Sequence, residues 1–191
     1  MSRYTLIAHI VKSIKNGVFV EIGTDGGNFA EFILENSTNS VLYCIDPYVC
    51  YSDYEDAINN VTGNSLFEAT RDKLKTKYGD RVIFVRKFSE QAANDIPNEI
   101  DFIYIDGNHS YTYVLKDLEL YYPKVKKYGF IVGDDAVDTD DLKRKHNGDI
   151  FIQWNQYSYG NYGVIKAFNE FCENNGIQGK IMYQQYIIKK Q

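Results

Sequence analysis

Short apolar runs alternate with helix-spaced patterns along most of this chain. Val18–Ile22, Val41–Ile45, Arg81–Val85, Ile100–Ile105 and Tyr128–Val132 read as strands, bounded by turn-forming residues. Ile100–Ile105 is nearly all apolar, the pattern of a strand covered on both faces. At the N-terminus, Leu6-Ile7, Ile10-Val11 and Ile14 recur at helical spacing and predict a covering amphipathic helix within residues 1–16. A second helix follows a glycine turn and runs from Phe29 to about Asn36. Ser52 to Tyr78 is polar and helix-compatible; Glu55-Asp56-Ala57-Ile58 comes first, and Ser65 with Glu68 then predicts a capping box. Ser89 opens a short helix, and Tyr111–Tyr122 places Val114, Leu115 and Leu118 on one side before Pro123 closes it. Val164–Asn174 is a further helix ended by Gly176. The tail, Lys180–Lys190, alternates as a hairpin would, although Gln184-Gln185 is a poor turn and one long strand would also fit.

Strands alternating with helices predict a parallel, doubly wound α/β sheet. Neither a repeat nor a linker interrupts the 191 residues, so a single domain is expected. Residues 136–162 break the rhythm: Asp-rich, then basic at Lys143-Arg144-Lys145, then aromatic around Trp154, Tyr157, Tyr159 and Tyr162. A loop of that length suggests a lid beside a site, or a segment packed through its aromatics onto the domain or a second subunit.

The net charge of −5 argues against a general nucleic-acid binder, which would carry a basic face. Cys44, Cys50 and Cys172 are odd in number and lack Cys-x-x-Cys spacing, which predicts reduced thiols, with Cys44 in the core. With no membrane-length apolar run and no signal-peptide pattern at the N-terminus, a cytoplasmic protein is expected.

The chemistry centres on Val18 to Asn28, where an apolar strand ends in a glycine turn that leads into a helix. That order presents backbone amides to a ligand at the carboxyl end of a strand. Asp46, at the end of the second strand, stands where an acidic side chain reaches a ribose diol. The turn reads Glu21-x-Gly23-x-x-Gly26-Gly27, so Glu21 and Asp25 lie where a dinucleotide would put its pyrophosphate. Carboxylates there repel phosphate, and the Lys-Ser/Thr pair of a P-loop is missing. A nucleoside ligand without phosphates follows, which disfavours NAD and ATP together.

Glu-x-Gly-x-x-x-Gly after the first strand, with an acidic end to the second, resembles the class I S-adenosylmethionine-dependent methyltransferases. Asp106-Gly107-Asn108-His109-Ser110-Tyr111 and Gly133-Asp134-Asp135 resemble segments of the metal-dependent macrocin-type and cephalosporin hydroxylase-like O-methyltransferase group. The resemblance spans roughly Val18 to Asp135 plus the Gly163-Val164-x-x-Ala167-Phe168 helix. It implies a Rossmann-like, doubly wound, mostly parallel seven-stranded sheet with the last strand antiparallel and helices on both faces. It further implies cofactor contacts at Glu21, Gly23, Thr24, Gly26, Asn28, Asp46, Ser89 and Asp106.

Asp106 ends the fourth strand, and Asp134 and Asp135 end the fifth. Carboxylates converging on neighbouring strand ends repel one another unless a cation neutralises them, and oxygen-only ligation suits Mg²⁺. On spacing alone, two solvated Asp turns capping the next helices fit as well; the resemblance implies the metal. His109, beside it, would be the general base. The implied activity is Mg²⁺-assisted O-methylation of a small-molecule or sugar hydroxyl, with no nucleic-acid or membrane partner and a homo-oligomer possible. Metal-independent methylation of another nucleophile, and a non-catalytic cofactor-binding module, are the alternatives.

Overall fold

The computed structural model describes residues 2–52, 61–137 and 163–191. Their elements are α1 (Arg3–Ser13), β1 (Val18–Ile22), α2 (Asn28–Asn36), β2 (Val41–Ile45), α3 (Asn64–Tyr78), β3 (Val82–Val85) and α4 (Ser89–Ala92). There follow β4 (Ile100–Ile105), α5 (Tyr111–Tyr121), β5 (Val125–Gly133), α6 (Val164–Asn175), β6 (Gly179–Met182) and β7 (Gln185–Lys189). Seven strands form one sheet in the order β3-β2-β1-β4-β5-β7-β6. The first five run parallel; β7 is antiparallel to both β5 and β6. This is the doubly wound, mostly parallel sheet with an antiparallel last strand.

Side-chain alternation along the strands divides the core into two layers. Val20, Ile22, Ile103, Ile105 and Ile131 meet α4, α5 and α6 through residues such as Ala92, Val114, Leu118 and Phe168. On the other face Phe19, Leu42, Phe102, Tyr104 and Val132 meet Ile7 and Val11 of α1, Ile33 and Leu34 of α2, and Leu74 of α3. Each such buried aliphatic side chain contributes roughly 1.5–3 kcal/mol. Cys44 is buried in the second layer, as expected.

Several local expectations are corrected. The capping box at Ser65 does not form: Gly63, at φ 147°, is the N-cap and provides no side-chain cap, and Ser65 lies inside α3. Glycine alone enters that backbone region readily, so the chain turns into the helix earlier. β5 starts at Val125 rather than Tyr128, because a register shift against β4 is accommodated around Tyr128, at φ 68°. The tail is a hairpin, turned by Tyr183 and Gln184 at φ 55° and 64°. Both central residues are left-handed, the geometry that matches strand twist, although neither residue type signals it. Glu55-Asp56-Ala57-Ile58, the basic run 143–145, Trp154 and the tyrosines of the expected lid lie outside the described residues. Among those described, no helix is long and apolar enough to cross a membrane.

Candidate active site

Four parallel strands end level with one another. Ile22 pairs with both Ile45 and Ile105, and Ile105 pairs with Gly133. The next residues continue the ladder: Gly23 N donates to Ile45 O (2.8 Å), Asp106 N to Ile22 O (2.8 Å) and Asp134 N to Ile105 O (3.0 Å). Gly23 (φ 88°) is where glycine is obligatory, since a Cβ there would lie 2.0 Å from the Asp106 carbonyl oxygen. The turn beyond it is braced from outside. Tyr48 Oη and Thr70 Oγ1 both donate to Asp25 O (2.9 and 3.0 Å), and Lys73 Nζ donates to Gly26 O (2.8 Å).

Asp46 folds back on the same turn. Its Oδ2 accepts from Asp25 N (3.0 Å) and its Oδ1 from Tyr48 N (2.8 Å). Burial raises its pKa, and those amide donors oppose the rise. Each oxygen keeps a second lone pair, so a diol could still bind.

A cavity of about 290 Å³ opens at these strand ends. Gly23, Asp46, Ser89, Asp106 and His109 line it, which unites residues from four separate segments of the chain. Its other walls include Val49, Tyr51, Phe88, Tyr113 and Asp117. Burial also raises the pKa of Asp106, and His109 opposes that. His109 Nε2 lies 3.3 Å from Asp106 Oδ1 and 3.7 Å from Asp135 Oδ2. The histidine therefore stands between two carboxylates.

Not every expected residue reaches the cavity. Glu21 shares the strand face of Phe19 and is buried beneath the turn (1 % exposed). Its Oε2 has no hydrogen-bond partner among the described residues, and burial lifts its pKa well above the carboxylate range. Thr24, Gly26 and Asn28 form the back of the turn and the start of α2, away from the cavity lining.

Asp134 shares the sheet face of Val132 and Tyr104, on which α1 packs. Arg3 of α1 pairs with its Oδ2; Gln185 Nε2 and Asp135 N donate to its Oδ1 at 3.1 and 2.9 Å. Asp134 and Asp135 both lie close enough to Asp106 to raise its pKa, and Asp134 is at the same time paired with Arg3. Among the described residues, no group of three His, Cys, Asp or Glu side chains is arranged to hold a metal ion.

Asp117 is the acidic cavity residue that sequence reasoning missed. A signal existed: it falls on the helical stripe of Val114, Leu118 and Tyr121, where an acid is out of place.

The residues fit S-adenosylmethionine: an acidic strand end for the ribose and a turn whose closest approach tolerates no Cβ. Comparisons with known proteins agree. Residues 20–136 match a family model described as a methyltransferase domain. An uncharacterized protein of Acanthamoeba polyphaga mimivirus, R132, is 31 % identical over 136 residues, covering 68 % of this chain and 59 % of its own length. Similar solved structures include a candidate caffeoyl-CoA O-methyltransferase from Staphylococcus aureus (TM-score 0.67, 17 % identity, 98 % of this chain and 82 % of that one). The SAH-bound methyltransferase PaMTH1 of Podospora anserina is another (TM-score 0.66, 16 % identity, 99 % and 78 %). The chain belongs to this methyltransferase-domain family and shares the fold of those solved methyltransferase structures.

Proposed function

We infer that this chain transfers the methyl group of S-adenosylmethionine to a hydroxyl oxygen of a small molecule or glycan, with His109 as the general base. The observation that carries this is the placement of His109 between Asp106 and Asp135 at the wall of the cofactor cavity. The cofactor supplies an electrophilic methyl on a sulfonium. The acceptor hydroxyl loses its proton to His109, its oxygen forms the new C–O bond, and the S–C bond breaks to leave S-adenosylhomocysteine. The imidazolium so formed lies beside two carboxylates, which stabilises it and strengthens the base. Asp46 would hold the ribose and the Gly23 turn would seat the methionine part, so that positioning contributes much of the rate.

Magnesium is the finer part of the expectation. With Asp134 committed to Arg3 and Gln185, the three-carboxylate set does not fit the ion as these side chains stand, and the proton transfer is assigned to protein groups alone. Support for an oxygen acceptor comes from the His–Asp arrangement and from the O-methyltransferase descriptions among structural neighbours. The test is methyl transfer from labelled S-adenosylmethionine to a panel of phenolic and sugar hydroxyls. Transfer to oxygen that vanishes in His109→Ala is expected. Transfer confined to nitrogen or carboxylate acceptors would overturn it.

A further inference from the structure

His109 is held from two sides, and only one of them is the sheet. Its ring meets Asp106 and Asp135, just past the ends of β4 and β5. Its main chain is held by α6 instead. Gly163, the N-cap of that helix, donates its N–H to the His109 carbonyl at 3.0 Å. Tyr111, which opens α5 just after the histidine, meets the same helix: Lys166 Nζ lies 4.5 Å from the centre of its ring.

The contact at Gly163 leaves no spare room. A Cβ there would lie 2.5 Å from Tyr111 Cβ and 2.9 Å from its Cα and N. No side-chain rotation moves those atoms. The φ of −147° at Gly163 is open to any residue, so the close approach, not the backbone angle, calls for glycine. Carbon atoms settle at about 3.5 Å or more, so a methyl group at this position forces the two segments apart by roughly 1 Å. Val164 and Ala167 anchor α6 in the core, and Val114 and Leu118 anchor α5. The loop before α5, which contains His109, is left to take up the displacement. Misplacing a catalytic group by about 1 Å costs on the order of 10²-fold in rate.

We propose that Gly163 is a positioning residue for methyl transfer: its N–H and its missing side chain fix the main chain of His109, and with it the direction of the imidazole. Gly163 is not among the residues that line the cavity, so it acts through the histidine alone. This rests on His109 being the general base.

The test compares wild type, Gly163→Ala, His109→Ala and the double variant as full chains. Turnover is measured with labelled S-adenosylmethionine and the panel of phenolic and sugar hydroxyls, and binding by calorimetry with S-adenosylhomocysteine. Gly163→Ala is expected to lower kcat by roughly 10–100-fold and to leave the Kd within about twofold. In the His109→Ala background the same change should cost nothing further, because no base remains to be misplaced. A glycine needed only for folding would weaken binding or slow both backgrounds alike, and either result overturns the proposal, as does wild-type kcat in Gly163→Ala. Wild-type turnover in His109→Ala overturns the base assignment and this inference with it. One measurement on the wild type depends neither on the variant folding nor on the acceptor. With ¹⁵N-labelled glycine, the Gly163 amide should exchange with solvent about 100-fold or more slowly than in an open chain. Exchange at the open-chain rate overturns the proposal.

Discussion

His109 Nε2 stands 3.3 Å from Asp106 Oδ1, three residues back at the end of β4. The contact joins the residue that closes a buried strand to the loop that opens α5, so the imidazole is positioned by the sheet as well as by its own loop. Removing it should affect chemistry more than binding. His109→Ala is expected to lower kcat by roughly 10²–10⁴-fold, the usual range for a general base. Affinity for S-adenosylhomocysteine, read by calorimetry, should change little. Unaltered turnover would rule out the base role.

Gly23 is the tightest point of the cofactor turn. Adding a methyl group would drive a Cβ to 2.0 Å from the Asp106 carbonyl at a φ of 88°. Backbone cannot yield there as a flexible side chain would. Gly23→Ala is therefore expected to cost about 3 kcal/mol of stability and to abolish cofactor binding. Urea unfolding and calorimetry on the same sample check both. A variant of wild-type stability and affinity would contradict the packing described.

Asp134 lies between Arg3 and Gln185. With one of the three expected metal carboxylates occupied in this way, turnover should survive treatment with EDTA. Loss of activity on chelation, restored by Mg²⁺, would mean that Asp134 leaves Arg3 when a cation binds. Arg3→Ala separately leaves a nearly buried carboxylate without its cation. Since Arg3 is itself 37 % exposed, solvent screens the pair and the loss should stay near 1 kcal/mol.

The buried acid on α5 predicts a pH dependence of stability. Asp117 titrates near 7 in the folded chain and near 3.8 when exposed. Between those values the folded state holds the proton and the unfolded state has lost it. The contribution of Asp117 to stability therefore falls as pH rises from about 4 to about 7 and is level above that. Its span is on the order of a few kcal/mol. Asp117→Asn removes this titration, so the stability difference between wild type and variant should drift across that window and nowhere above it. A constant difference in chemical denaturation from pH 4 to 8 would refute the assignment.

Much of the fold was legible because buried parallel strands leave a plain mark. Val18–Ile22, Val41–Ile45 and Ile100–Ile105 occur with the bounds read from their apolar runs. Features whose signal is a backbone angle were less visible. Tyr183 and Gln184 take left-handed φ without Gly or Asn to announce it, and the bulge at Tyr128 shifted the start of β5. In the site, Asp46, Ser89, Asp106 and His109 were readable because each directly follows, or lies shortly beyond, the end of a strand. Asp117 was not, because a helical acid becomes a cavity residue only once α5 has docked.

By itself, the sequence determined the alternation of elements, the layers they bury and the turn from Gly23 onward. These are local: a period of two or near four, and a glycine where a side chain cannot fit. Only the tertiary structure decided which carboxylates serve the cavity. Glu21 and Asp134 fall on the α1–α3 side of the sheet, where Asp134 meets Arg3, 131 residues earlier in the chain. Asp106 and Asp135 instead flank His109. Asp106 shares the parity of Tyr104 and Asp134 and yet meets His109, so the packing of distant helices and loops sets the partner, and adjacency along the chain contains no record of that choice.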